Sequence, residues 1–335
     1  MKIGLIGAGN ISNTHARAAR AIAGVKIAAV YGTNPGKVNQ LSRDHDAVAY
    51  SDFAAFLDHP MDMVIVGGPS GLHATQGIAA AQHGLHVLVE KPIDVSTGSA
   101  DALISECQKA GVKLGVIFQD RFKPDICRLR DLIQEGRLGR LSLVDARVKW
   151  YRPPEYYRDS RWRGTWRLDG GGALMNQGVH TVDLLIWLLG DVKILKARTA
   201  RLLHKIETED TALALLEFSN GALGTLQATT AAYPGYPRRV EITGTEGTIV
   251  LEGDNIVKID LRSGPVTLIR EQVHDQNPST SSPVVSDFRG HQLVIEDFIR
   301  AIRENGTPRC DGADGRHSVA AIEEIYRLAG EFTTL

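Results

Sequence analysis

Through the first third of the chain, short apolar runs alternate with stretches whose apolar positions recur at helical spacing. The runs Ile3 to Ile6, Lys26 to Tyr31, Met63 to Val66, His86 to Val89 and Lys113 to Phe118 predict buried strands. Between them Asn13 to Ile22, Pro35 to Arg43, Ser51 to Leu57, Leu72 to His83 and Thr97 to Ala110 predict helices, several of them entered through Ser, Thr or Asn. This order implies a parallel sheet covered by helices on both faces, and such sheets bind ligands at the carboxyl ends of their strands.

The pattern changes in the second part. Phe122 to Ile133 predicts a linking helix, and Ser142 to Tyr151 opens a series of longer, alternating strands. Ile194 to Leu203, Thr211 to Phe218, Leu223 to Thr230, Arg239 to Thr243, Thr248 to Glu252 and Val257 to Asp260 continue it, with hairpin turns at Ser219-Asn220-Gly221 and Glu246-Gly247. The expectation is an α+β domain with a large, mostly antiparallel open sheet, covering 121–335, after an α/β domain over 1–120. Asp275 to Asp287, rich in Ser, Pro and Thr, predicts a long exposed loop. Helices over Leu293 to Glu304 and Val319 to Phe332 are expected to pack on the second sheet.

Composition narrows the partners. The 335 residues carry 38 basic and 39 acidic side chains, a net charge of -1, which argues against nucleic acid or an anionic membrane surface and for a small molecule. Cys107, Cys127 and Cys310 lie far apart and match neither a disulfide framework nor a thiolate metal site, so no metal is expected and a reducing cytoplasm fits. No signal segment or membrane span is expected, and the sequon Asn10-Ile11-Ser12 is expected to stay unmodified.

Candidate chemistry gathers at strand ends. Gly7-Ala8-Gly9-Asn10-Ile11-Ser12 follows the first strand and opens the first helix, the context of a Rossmann dinucleotide loop, with Ser12 in place of the third glycine. Gly7, Gly9, Asn10 and Ile11 are thus candidate cofactor contacts. The second strand ends in Gly32-Thr33-Asn34 with no carboxylate to hold an adenosine ribose, which favours NADP over NAD while leaving both open. Pro69, Ser70 and His73 stand after the next core strand, Ser70 as a helix cap and His73 as either a cofactor contact or a local hydrogen-bonding residue. Glu90-Lys91-Pro92 then ends an apolar run abruptly, and Pro92 biases Lys91 towards extended geometry, so that a stiff turn presents the ammonium.

In the second part Gly170-Gly171-Gly172 reads as a flexible lead into a helix from about Ala173 to Leu189, which sets Asn176, His180 and Asp183 on one face. Before it lies an aromatic and basic segment with Tyr156, Trp162, Arg163 and Trp166. Aromatic faces there can stack on a pyranose while arginines fork onto a carboxylate or phosphate. Tyr236, between two prolines, is a candidate lid residue.

Together the glycine loop, Gly68-Pro69-Ser70 with His73, Glu90-Lys91-Pro92, and the glycine run followed by Gly178-Val179-His180-Thr181-Val182-Asp183 resemble the glucose-fructose oxidoreductase and inositol dehydrogenase family, also called Gfo/Idh/MocA. The resemblance spans nearly the whole chain. It implies an NAD(P)-dependent oxidoreductase acting on a secondary alcohol or ketone of a sugar, polyol or sugar derivative. It also implies a second domain that binds substrate and a sheet that joins subunits into a dimer or tetramer. Lys91 maps onto the family lysine near nicotinamide and substrate oxygen, where an ammonium can polarise a carbonyl and supply a proton; Glu90 maps onto the same motif. One branch of the family has an aspartate four residues before its histidine, whereas this chain has Asn176, an amide that cannot accept a proton as a base. Proton transfer then falls to Lys91 and His180, with Asn176 positioning substrate beside Tyr156, Arg163, Trp166 and Tyr236. Two alternatives remain open: a cofactor-binding regulatory protein without turnover, and an NAD-assisted glycoside-cleaving enzyme.

Overall fold

The computed structural model describes residues 1–266 and 287–331. The expected loop over Asp275 to Asp287 therefore lies, Asp287 apart, outside the described residues. The chain divides into two compact units, one of Met1–Gln119, Arg167–Gly170 and Val285–Val319, the other of Asp120–Trp166, Gly171–Val284 and Ala320–Leu335.

In the first unit β1 (Lys2–Ile6), α1 (Asn10–Arg20), β2 (Lys26–Tyr31), α2 (Pro35–Asp44), β3 (Val48–Tyr50), α3 (Phe53–Leu57), β4 (Met63–Val66), α4 (His73–Gln82), β5 (His86–Val89), α5 (Thr97–Ala110) and β6 (Leu114–Val116) alternate along the chain. The six strands form a wholly parallel sheet in the order β3-β2-β1-β4-β5-β6. Continuous apolar runs such as Met63–Val66 are buried throughout because helices cover both faces. The helix starts follow local chemistry: the Asn34 side chain accepts the Lys37 amide at 3.0 Å, and that of Asp52 accepts the Ala55 amide at 2.8 Å. β3 was not foreseen, since its three residues are too few to show a period.

The second unit contains α6 (Pro124–Gln134), β7 (Leu141–Lys149), α7 (Pro154–Arg158), α8 (Val179–Leu189), β8 (Val192–Ala200), β9 (Thr211–Phe218), β10 (Leu223–Thr229), β11 (Arg239–Gly244), β12 (Gly247–Glu252) and β13 (Asn255–Leu261). Its seven strands run β13-β12-β11-β7-β10-β9-β8, antiparallel except where β10 lies parallel to β7. Both expected hairpins form, β9 to β10 and β11 to β12. The fold is thus a Rossmann-type parallel sheet plus a mostly antiparallel one.

Of the last two helices, the first departs from expectation. Helix α9 (Arg289–Arg303) packs against α1 in the first unit, not on the second sheet. Arg17 sits 4.9 Å above the Phe288 ring there. The amphipathic pattern showed that α9 has a buried face but carried no information on which partner covers it. The final helix, α10 (Gly312–Ala329), contributes its first residues to this unit and its remainder to the other.

Candidate active site

The glycine loop has the shape a dinucleotide needs. Gly7 adopts φ +114°, and a Cβ there would stand 2.8 Å from the Gly67 carbonyl oxygen, so only glycine fits. A Cβ at Gly9 would meet nothing within 4 Å, and the start of α1 has neither a side-chain cap nor an acidic residue in its first turn. Its amides are therefore not engaged by a capping side chain, and a pyrophosphate fits there. Ser12, at the position of the third glycine, is buried, its hydroxyl 3.1 Å from where a Gly7 Cβ would lie. Asn10 is exposed and Ile11 half-buried beside this loop. Gly32 packs close to Ala8 and Val38, while Thr33 and Asn34 are exposed, the Asn34 oxygen being taken by the cap of α2.

After β4, Ser70 is buried and Pro69 half-buried in a short turn, but Ser70 does not cap α4 as expected. Asp94 does so from beyond Pro92, accepting the Ala74 amide at 2.8 Å. The His73 ring is buried between two carbonyls, with Nδ1 2.8 Å from Pro92 O and Nε2 3.1 Å from Gly68 O. Both ring nitrogens thus face backbone carbonyls, one of them in the turn after Lys91. Lys91 itself is half-buried. Its amide donates to the Glu90 carboxylate at 3.0 Å, and the other carboxylate oxygen lies 2.9 Å from His15 Nε2. Burial pushes the Glu90 carboxyl up, but the hydrogen bond and charge of His15, with the charges of His291 and Lys91, outweigh it and hold the group at about 2.

In the second unit the last two glycines of the run are packed, not flexible. A Cβ at Gly171 would fall 2.0 Å from the Tyr326 hydroxyl, and one at Gly172 2.0 Å from the Glu209 carbonyl oxygen. Glu209 accepts the amides of Gly172 at 3.1 Å and Leu174 at 2.8 Å and the Tyr326 hydroxyl at 2.9 Å. Burial raises its carboxyl to about 7 despite those bonds. The expected single helix is a π-helical turn, Ala173–Gly178, running into α8. Such turns re-aim side chains within a helix and recur at functional sites.

From Gly171 to Leu185 only Asn176 and His180 keep solvent exposure. Asn176 Oδ1 accepts from Gln177 Nε2 at 3.1 Å, and the same nitrogen lies 3.0 Å from the Tyr156 hydroxyl. Arg152 donates to Gln177 Oε1 at 3.0 Å, and the Arg163 guanidinium sits 4.2 Å from the Tyr156 ring centroid. The structure thus joins Asn176, Tyr156 and Arg163. Trp166 instead meets Tyr326 edge-on at 5.2 Å, and the Tyr236 ring is exposed. Asp183 forms a buried pair with Arg121.

Sequence reading missed His15, Glu209 and the buried Asp120 to Arg238 pair. Burial pushes the Asp120 carboxyl up, yet the charges of Arg238 and then His180 hold it well below the ordinary carboxylate range. The one available signal for His15 was its place on the apolar side of α1. Asp120 and Arg238 lie too far apart in sequence for any local pattern to pair them.

The first unit carries a Rossmann sheet with a dinucleotide-shaped loop and a lysine turn, and the second carries a half-exposed amide on the π-turn and a half-exposed imidazole at the start of α8; these are the parts of a nicotinamide-dependent oxidoreductase. Two family profiles match this chain: the oxidoreductase family with an NAD-binding Rossmann fold over residues 1–118, and the GFO/IDH/MocA C-terminal domain over 126–250. The chain belongs to the GFO/IDH/MocA oxidoreductase family. It resembles the WlbA dehydrogenase from Bordetella pertussis, solved in complex with NADH and UDP-GlcNAcA, at 33% identity and a TM-score of 0.88, covering 99% of this chain and 96% of that one. Myo-inositol 2-dehydrogenase of Thermotoga maritima is 27% identical over 94% of this chain and 92% of its own length. D-apiose dehydrogenase of Paraburkholderia graminis is 27% identical, covering 99% and 88%. Among the described residues no helix is long and apolar enough to cross a membrane.

Proposed function

We propose that this oxidoreductase interconverts a secondary alcohol and its ketone on a sugar derivative, with Lys91 and His180 handling the proton and Asn176 holding substrate. The observation that carries the reading is the selective exposure of Asn176 and His180 on an otherwise buried segment, with Tyr156 and Arg163 tied to Asn176 through Gln177. Gly7, Gly9, Asn10 and Ile11 would hold the pyrophosphate end of the coenzyme. Gly32, Thr33, Asn34, Pro69 and Ser70 would lie along the rest. Hydride exchange with the substrate carbon is the chemistry that nicotinamide supplies when bound.

In the oxidative direction Lys91 Nζ, as the amine, takes the hydroxyl proton; in the reductive direction the ammonium returns it to the forming alkoxide. His180 is the second group assigned to the proton, which its imidazole can accept and its imidazolium can donate. The Asn176 amide hydrogen-bonds a neighbouring hydroxyl and leaves the proton inventory unchanged. The aromatic and basic segment with Arg152, Tyr156 and Arg163 suits a sugar that carries an acidic group. The relative solved with UDP-GlcNAcA makes a nucleotide-linked uronic acid the first substrate to try.

Coenzyme choice turns on the end of β2. Exposed Thr33, Asn34 and Lys37, with no carboxylate among them, favour NADP, whereas the NADH complex of the WlbA relative favours NAD. A homo-oligomer is also part of the reading. Leu143, Leu213, Leu215 and Leu223 share one face of the second sheet and are each about half exposed, a surface suited to a second subunit. Cys107, Cys127 and Cys310 as thiols suit a cytoplasmic setting.

The test is to follow reduced-coenzyme formation with NAD and NADP against UDP-GlcNAcA, inositols and free aldoses, in wild type and Lys91→Ala. The reading expects turnover of at least one carbohydrate, lost by a factor of about 10² or more in the variant. Turnover unchanged by Lys91→Ala contradicts it.

A further inference from the structure

The histidine at position 15 has no place in the reading above, yet it is fully buried beside the lysine turn. His15, Glu90 and His291 are 0%, 6% and 3% exposed and come from α1, the end of β5 and α9. His15 Nε2 lies 2.9 Å from one Glu90 oxygen, and the Lys91 amide donates to the other at 3.0 Å. The His15 and His291 rings meet edge to face, centroids 5.3 Å apart. A buried carboxylate is costly unless polar partners surround it, and here those partners come from three separate elements.

Two consequences follow from the connectivity. His15 is one turn beyond Ile11 on the helix that begins at the dinucleotide loop, so its imidazole ties that helix to the carboxylate. The carboxylate in turn holds the Lys91 backbone, while His73 holds the Pro92 carbonyl from the other side. The turn that presents the Lys91 ammonium is therefore gripped at both ends.

We propose that His15 is a positioning residue for Lys91, acting through the Glu90 carboxylate and registering the lysine against the coenzyme loop. The inference rests on the catalytic role given to Lys91 above. The charged and titratable groups facing Glu90 are His15 from α1, His291 from α9 and Lys91 from its own turn. Removing His15 leaves the Glu90 negative charge less compensated beside Lys91 and favours the ammonium. Removing the Glu90 charge does the opposite.

The experiment compares wild type with His15→Ala, His15→Gln, Glu90→Gln and the double variant His15→Ala/Glu90→Gln. It reads kcat, KM, coenzyme affinity and the pH profile of kcat/KM. Expected are a fall in kcat of about 10- to 100-fold in His15→Ala with coenzyme affinity held within about threefold, and substantial recovery in His15→Gln, whose amide can still donate. The limb of the profile belonging to Lys91 moves to higher pH in His15→Ala and to lower pH in Glu90→Gln. The double variant is no slower than Glu90→Gln alone, because both changes act on one connection.

Limbs that do not move, or move the same way in both variants, overturn the proposal. So does an additive double variant. The three side chains also place one ligand atom each within 4.8 Å of one another. Stoichiometric zinc in elemental analysis, with activity lost on chelation, would make the cluster a cation site and overturn the positioning role. Lys91→Ala separates the two levels: if it keeps turnover, the functional reading fails first; if it loses turnover while His15→Ala does not, only this inference fails.

Discussion

Arg121 forks onto Asp183, its Nε 2.9 Å from one carboxylate oxygen and its Nη2 2.6 Å from the other, with both side chains buried. The pair anchors α8 three residues beyond His180. Replacing Asp183 with Asn leaves the guanidinium buried without its counter-charge, and the expected loss of stability is about 3–5 kcal/mol. Urea unfolding of the variant measures it. A loss below about 1 kcal/mol would mean that the helix is held by its apolar contacts alone.

Glu209 gives stability a pH dependence with a definite sign. Its carboxyl is raised by burial from 4.5 to about 7, so between those values the folded state keeps a proton that the unfolded state has released. Stability from this group is complete below pH 4.5 and is lost as pH rises through about 7, by about 3 kcal/mol in all. Glu209→Gln removes the titration, so the gap between variant and wild type changes across that window. Parallel stability curves for the two proteins would contradict it.

At Gly171 the backbone has φ +157°, and a Cβ would sit 2.0 Å from the Tyr326 hydroxyl. Tyr326 also donates to Glu209, so the clash pushes on the partner that holds Gly172 and Leu174. Gly171→Ala is expected to destabilise by on the order of 2 kcal/mol or more, with turnover reduced in the fraction that folds. Thermal melting and active-site titration separate the two effects.

Asn176→Asp tests the division of labour between amide and imidazole. A carboxylate one turn before His180 favours the imidazolium, so the histidine limb of the kcat/KM profile is expected to move to higher pH by about one unit. An unmoved limb would show that the two side chains do not sense each other.

The parallel sheet was legible because its buried strands are continuous apolar runs such as Met63–Val66, punctuated by Gly and Pro. The hairpins Ser219 to Gly221 and Glu246 to Gly247 were legible from turn chemistry. The π-turn at Ala173–Gly178 was not, since a single inserted residue leaves the helical period almost unchanged. Nor was the packing of Gly171 and Gly172 against Tyr326 and Glu209, because a glycine required by close approach reads the same as one required by flexibility. Lys91, Asn176 and His180 stand as candidates by motif register. His15 and Glu209 escaped because their roles depend on partners far away in sequence.

The central claim is that Lys91 moves the proton in a coenzyme-linked oxidation of a sugar derivative. The most direct measurement is the single-turnover rate of coenzyme reduction by Lys91→Met, with coenzyme binding confirmed by its effect on melting temperature. The expected result is a coenzyme shift equal to that of wild type and a rate lower by about 10² or more. A rate matching wild type, with coenzyme bound, would contradict the account.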